Sequence, residues 1–168
     1  MAAEDGRGRS RTSRVIGAPR DAVYAAFVDP EAIVKWQAPD AMTATVHAFD
    51  GRVGGGYEMS LYYPPSEDVG LGKSGGNEDR YRSRFVELVP PSRIVQTIRF
   101  DTDDPRMMGE FTMVVTLEEL DGGTEVTVQF EGIPIGISPE DNDAGTRLSL
   151  EKLARYVETG PGAGQVDA

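Results

Sequence analysis

His47 is the only histidine in the chain. It is therefore the one side chain whose ordinary titration range suits proton transfer near neutral pH. It falls on Met42 to Phe49, a segment that reads as a strand. No serine or cysteine stands beside it in a nucleophile motif, so a hydrolytic triad of the usual kind is not expected. One histidine and no cysteine also leave too few ligands for a zinc site. Asp101, Asp103 and Asp104 lie close together, but the glycine and distant glutamate of a calcium loop are missing and Pro105 breaks the register. Glu118 and Glu119 are adjacent on a predicted strand, where successive side chains point to opposite faces, so they form no acid pair. Gly70-Leu71-Gly72-Lys73-Ser74-Gly75 has the letters of a dinucleotide fingerprint. That chemistry needs a strand before the motif and a helix N-terminus after it. Here strands are predicted on both sides, and Glu67 stands where a P-loop needs glycine. The expectation is a flexible hairpin loop near a cavity mouth.

The aromatic and methionine residues form a more informative set. Trp36, Tyr57, Met59, Tyr81 and Phe85 fall on positions assigned to the inner side of the fold. Phe100, Phe111, Met113 and Phe130 do the same further along. A filled core would use such residues too. Tyr81, Ser83 and Gln96, however, place isolated polar groups among them. A few polar atoms in an apolar lining suit a ligand site, where they orient the bound molecule. A buried hydroxyl or amide must find a partner, and water or a ligand can supply it.

These residues are positioned by an ordered run of elements. Thr12 to Gly17 reads as a strand, and Pro19 fits the first turn of a helix carrying Ala22, Val23, Ala26 and Phe27. Asp29-Pro30 ends that helix and caps a second, Glu31 to Trp36. From Met42 the pattern alternates with a period of two. Strands are predicted around Met42 to Phe49, Tyr57 to Tyr63, Arg80 to Phe85, Ile94 to Phe100, Phe111 to Leu117 and Val126 to Phe130. Asp50-Gly51 and Asp121-Gly122-Gly123 are hairpin signals, and Gly54 to Gly56 permit a bulge. Pro64 to Asp79 is a long polar loop. Ser138 and Pro139 open the last helix, with Thr146, Leu150, Leu153, Ala154 and Val157 on one face. A meander of strands plus one amphipathic helix predicts an α+β fold, the helix covering the apolar face of the sheet.

That order, together with several local sequences, resembles the START-like (SRPBCC) superfamily. Within it the chain is similar to bacterial proteins related to the activator of the heat-shock-protein-ninety ATPase. The resemblance is carried by Ala18-Pro19-Arg20-Asp21-Ala22-Val23-Tyr24 before Phe27, by Asp29-Pro30 and Trp36, and by Phe49-Asp50-Gly51-Arg52-Val53-Gly54-Gly55 with Tyr57. It continues in Tyr81-Arg82-Ser83-Arg84-Phe85, Gly123-Thr124-Glu125-Val126, Ala144-Gly145-Thr146 and Ser149-Leu150-Glu151-Lys152-Leu153. It implies a helix-grip fold, a curved antiparallel sheet of about six to seven strands around a long C-terminal helix, with two short helices after the first strand. It also implies a cavity between sheet and helix that Thr146 and Leu150 would line from the helix. Many relatives carry a Gly-Trp pair in that helix, whereas here Gly145 precedes Thr146. The resemblance therefore does not name a ligand, because turns, caps and core positions carry it.

Composition sets the outer bounds. A chain of 168 residues, 39% apolar and 27% charged, suits one globular domain. The expected layout is a flexible arm over 1–10, the domain over 11–158 and a flexible tail over 159–168. The net charge of -11 opposes binding to nucleic acid or anionic membranes. Arg7, Arg9, Arg11 and Arg14 are read as a solvated tail. No apolar run reaches the roughly 18 residues of a membrane span, and Met1 to Arg14 lacks a secretory h-region, so a cytoplasmic location is expected. The leading functional expectation is binding of a small apolar or aromatic molecule without a cofactor, by a monomer or homodimer. Two alternatives stand beside it. One is a cyclase or hydratase moving a proton with Tyr81, His47 or Glu58; the other is a chaperone-type module that docks a protein partner.

Overall fold

The computed structural model describes residues 7–38, 42–64 and 78–159. The Gly70 to Gly75 motif, residues 1–6 of the arm and the tail from residue 160 lie outside the described residues. The alternating segments form β1 (Gly8–Ile16), β2 (Thr43–Asp50), β3 (Gly56–Tyr62), β4 (Glu78–Val89), β5 (Arg93–Phe100), β6 (Phe111–Leu120) and β7 (Gly123–Ile133). Two short helices, α1 (Arg20–Phe27) and α2 (Pro30–Trp36), follow β1, and α3 (Pro139–Thr159) closes the domain.

All seven strands join one antiparallel sheet in the order β1-β7-β6-β5-β4-β3-β2. The meander runs from β2 to β7, and β1 returns to pair with β7 at the far edge. The result is the α+β helix-grip architecture, an open curved sheet with α3 against its concave face. Asp121-Gly122 forms the tightest hairpin, and Gly122 takes φ 78°, a left-handed conformation that a side chain would strain. Asp29 caps α2 by accepting the Glu31 amide at 2.9 Å. Ser138 caps α3 through the Asp141 amide at 3.0 Å.

Most element boundaries differ from the sequence reading by one to a few residues, and β4, β6 and β7 run longer than read, to Val89, to Leu120 and over Gly123–Ile133. β1 begins at Gly8 rather than Thr12, because pairing with β7 extends the strand past the apolar pattern. Pro19 sits at the N-cap of α1, one position before the first turn. Glu78 and Asp79 belong to β4 rather than to the preceding loop. Arg7 is likewise not a solvated residue. Its guanidinium donates to the carbonyls of Met108, Glu110 and Gly132, at 3.1 to 3.3 Å.

Helix α3 is fastened along β1 by polar side chains. Ser10 donates to Asn142 Oδ1 at 2.5 Å, Thr12 donates to Asp143, and the Gly17 amide donates to Glu158 at 2.7 Å. Two further bonds tie it to the end of α2, Ser149 Oγ to the Gln37 carbonyl and Lys152 Nζ to the Ala38 carbonyl, both at 2.7 Å. Leu150, Leu153 and Ala154 are buried under the second half of α3. The first half lines the space beneath it with Asp141, Asn142, Gly145, Thr146 and Ser149. Residues that small cannot reach the apolar sheet below them, and space remains.

Candidate functional site

That space is a cavity of about 510 Å³ between the first half of α3, the end of α2 and strands β3 to β7. Protein interiors hold few voids larger than a water molecule. A volume of this size falls instead in the range of ligand sites, about 300–1,000 Å³. Its apolar walls are Phe27 and Trp36 from the short helices, and Leu61, Ile98, Met113 and Val128 from the sheet. Four rings continue the lining across neighbouring strands, Tyr81, Phe100, Phe111 and Phe130.

Those rings are part of a longer row. Phe49, Tyr57, Tyr81, Phe100, Phe111 and Phe130 come one from each strand from β2 to β7, with successive centroids 5.7 to 6.3 Å apart. Contacts of this kind stabilise by about 0.5–1.5 kcal/mol beyond area burial. The four rings on β4 to β7 face the cavity, and the two on β2 and β3 pack into the filled core with Phe85.

Eight of the residues expected from sequence line the cavity, namely Trp36, Tyr81, Phe100, Phe111, Met113, Phe130, Thr146 and Leu150. Five do not. Tyr57, Met59 and Phe85 are buried in the filled core. Gln96 is buried too, and its amide already donates to Tyr57 Oη at 3.0 Å, so the protein satisfies it without a ligand. Ser83 is buried with its hydroxyl lacking a protein partner, but it is not part of the cavity wall. Period-two alternation identified the inner face correctly, but it could not say which part of that face is covered by large side chains.

Sequence reasoning missed Gln37, Tyr63 and Asp79. Gln37 is a junction. Its side-chain carbonyl accepts the Tyr81 hydroxyl at 2.5 Å and its amide donates to Tyr57 Oη at 3.3 Å. Asp79 is 4% exposed, lies two residues before Tyr81 on the same face of β4, and accepts the Tyr63 hydroxyl at 3.1 Å. Its sequence signal was available, since Asp79 shares the parity of Tyr81, Ser83 and Phe85. Burial raises the Tyr81 phenol well above its ordinary value, and the nearby Tyr57 and the negative charge of Asp79 push the same way. Tyr81 is therefore a hydrogen-bonding phenol at neutral pH.

The residues named for proton transfer are not brought together. His47 is the bulged residue of β2, where the register shifts between Val46 and Ala48. Val46 faces Met59 and Phe49 faces Tyr57, so both point inward while His47 points out. Its Nε2 lies 2.8 Å from Ser60 Oγ, and Ser60 in turn donates to Glu78. A serine that donates to a carboxylate and accepts from histidine is not an activated nucleophile. Glu58 also faces outward, where the hydrogen bond from Arg80 at 2.8 Å holds its carboxyl below the ordinary range. Asp104 accepts the Arg106 amide at 3.0 Å and shapes a turn. Glu118 and Glu119 are both exposed. Among the described residues no group of three or more acids and histidines is placed to hold a metal, and no helix is long and apolar enough to cross a membrane.

Solved structures share this architecture. Protein CV1439 from Chromobacterium violaceum is 37% identical over 89% of this chain and 96% of its own, with a TM-score of 0.79. A Staphylococcus epidermidis protein is 18% identical over 95% and 94% of the two chains, at 0.71. DynU16, from the dynemicin biosynthetic locus, is 22% identical over 90% of this chain and 47% of its own, at 0.62. The last two likenesses show the fold alone. No curated protein matches. Residues 17–158 match the family model of the activator of Hsp90 ATPase homolog 1-like proteins, and the chain belongs to that family.

Proposed function

We infer that the cavity under the first half of α3 binds a small apolar or aromatic molecule. The observation that carries this reading is the pairing of a large aromatic wall with a helix face of Gly145, Thr146 and Ser149. A core built only for stability would have placed large apolar residues there. Polar groups, among them Gln37, Tyr81, Asp79 and Asn142, are spaced around a mainly apolar lining, as orientation of a ligand requires. Of the three residues named for proton transfer only Tyr81 lines the cavity, and its hydroxyl already donates to Gln37, which favours retention of the molecule over its conversion.

Native mass spectrometry of the purified protein, before and after denaturation, tests the reading together with titration of neutral aromatic probes. A retained stoichiometric molecule, or probe binding abolished by Leu150→Trp, is expected. Absence of both retained mass and probe binding would overturn it.

A further inference from the structure

We propose that the outer face of β4 and β5 holds a second site, separate from the cavity, for a small organic phosphate monoester gripped by Arg82 and Arg99. Side chains alternate along a strand. Tyr81, Ser83, Ile98 and Phe100 face inward, so Arg82 and Arg99 point out to solvent. The two arginines stand directly opposite one another in the β4–β5 register. Like charges so placed destabilise a sheet. Arg84 adds a third guanidinium on the same face, two residues along β4. Among the described residues, none of the three makes a hydrogen bond or an ion pair through its side chain. The chain carries 28 acidic residues against 17 basic ones, so counter-charges were not scarce.

Arg82 and Arg99 line a depression of about 380 Å³ together with Arg80, Glu58 and Asp101. That volume lies within the range of small-ligand sites. The carboxylates here gather around Arg80. Glu58 accepts from Arg80 Nε and Nη2 at 3.1 and 2.8 Å, and Glu58, Glu78 and Asp101 all act on the Arg80 charge. Glu58 also faces Arg82 in register and offsets part of its charge. Opposite Arg99, by contrast, stands only Arg82. Three guanidinium groups against two carboxylates leave the lining positive. The overall negative field is screened within about 8 Å at physiological salt, so these near groups decide what binds. Two guanidinium groups held opposite one another match an anion of two charges. A phosphate monoester carries about −1.5 to −2 near pH 7, on oxygens that suit the guanidinium fork. Thr102 Oγ1 accepts the Asp104 amide at 3.1 Å, which leaves its proton to donate. Met108, 43% exposed in the same lining, offers apolar surface to the organic body of the ligand.

Calorimetry of the full chain with phenyl phosphate, phenyl sulfate and inorganic phosphate, at neutral pH and about 150 mM salt, tests the site. Phenyl phosphate is expected to bind saturably, at least about threefold more tightly than either of the others. Arg82→Gln and Arg99→Gln should each weaken it by at least about tenfold. Arg155→Gln, an exposed arginine on α3, should leave it within about twofold. Leu150→Trp, which fills the cavity, should not change it. Absence of saturable phenyl phosphate binding overturns the proposal, as does binding that neither Arg82→Gln nor Arg99→Gln weakens. Phenyl sulfate binding as tightly removes the need for two charges, and inorganic phosphate binding as tightly removes the organic body; either result overturns the phosphate monoester assignment. Loss of phenyl phosphate binding in Leu150→Trp would place the probe in the cavity, overturning the second site and leaving the cavity reading intact. The order of the three probes on the wild-type chain decides the matter without the arginine variants, should these not fold.

Discussion

The Tyr81 hydroxyl donates to Gln37 Oε1 at 2.5 Å, joining the middle of the sheet to the residue that ends α2. The bond sits at the boundary between filled core and cavity. Gln37 also holds Tyr57 and, through its main chain, Ser149 of α3. One residue thus connects β3, β4, α2 and α3 around the open space.

Tyr81→Phe removes that donor and leaves Gln37 Oε1 without it, at an expected cost of about 1–3 kcal/mol. The Tyr81 phenol is raised above 10.0, so its contribution is complete below pH 10 and declines only as pH rises further. Thermal unfolding of the variant should therefore show the full loss at neutral pH. A melting temperature equal to wild type would show that the bond carries no stability.

Ser83→Ala should be neutral or stabilising, by up to about 1 kcal/mol, because the buried hydroxyl has no protein partner to lose. It should leave probe affinity unchanged, since Ser83 is outside the cavity wall. Chemical denaturation and calorimetry check both statements. A clear fall in affinity would return Ser83 to the binding surface.

Gly145→Ala and Leu150→Trp act on the cavity from the helix. A methyl group at Gly145 meets nothing within 4 Å. Alanine in a helix interior is favoured over glycine by about 0.8–1.0 kcal/mol, so the variant should melt higher. Leu150 is 1% exposed and lines the cavity. An indole there has the cavity to enter, so the cost should sit near the low end of the usual overpacking range, about 1 kcal/mol, while probe binding is lost.

Acid sensitivity should come partly from Glu58. The Arg80 hydrogen bond holds this carboxyl below its ordinary 4.5, so its contribution is present above pH 4.5 and lost as pH falls through the lower folded value. The two side chains are 27% and 37% exposed, which limits the pair to about 0.5 kcal/mol. Glu58→Gln should show that deficit at pH 7 and converge with wild type in acid. Parallel stability curves for the two proteins would contradict the assignment.

Much of the fold was legible because the sheet has a period of two and because Asp29, Ser138 and Asp121-Gly122 occupy their cap and turn positions. β1 was read short, since Arg9 and Arg11 give no apolar signal and only pairing with β7 makes the segment a strand. The site was half legible. Alternation placed Tyr81, Phe100, Phe111, Met113 and Phe130 on the inner face, and all five line the cavity. The same alternation included Tyr57, Met59 and Phe85, which other side chains cover. Gln37 gave no pattern to read, because it follows a helix end and its role depends on three elements distant in sequence. His47 shows the effect of one bulge. Without the register shift at that residue, Val46 and Phe49 could not both face inward.

The most direct measurement is a methyl-resolved NMR titration of the full chain with naphthylmethanol. The predicted result is saturable shifts confined to cavity methyls, those of Met42, Leu61, Ile98, Met113, Val128 and Leu150. The exposed Val15, Val53 and Val86 should stay in place. Shifts on those surface valines, with the cavity methyls unmoved, would contradict a ligand site beneath α3.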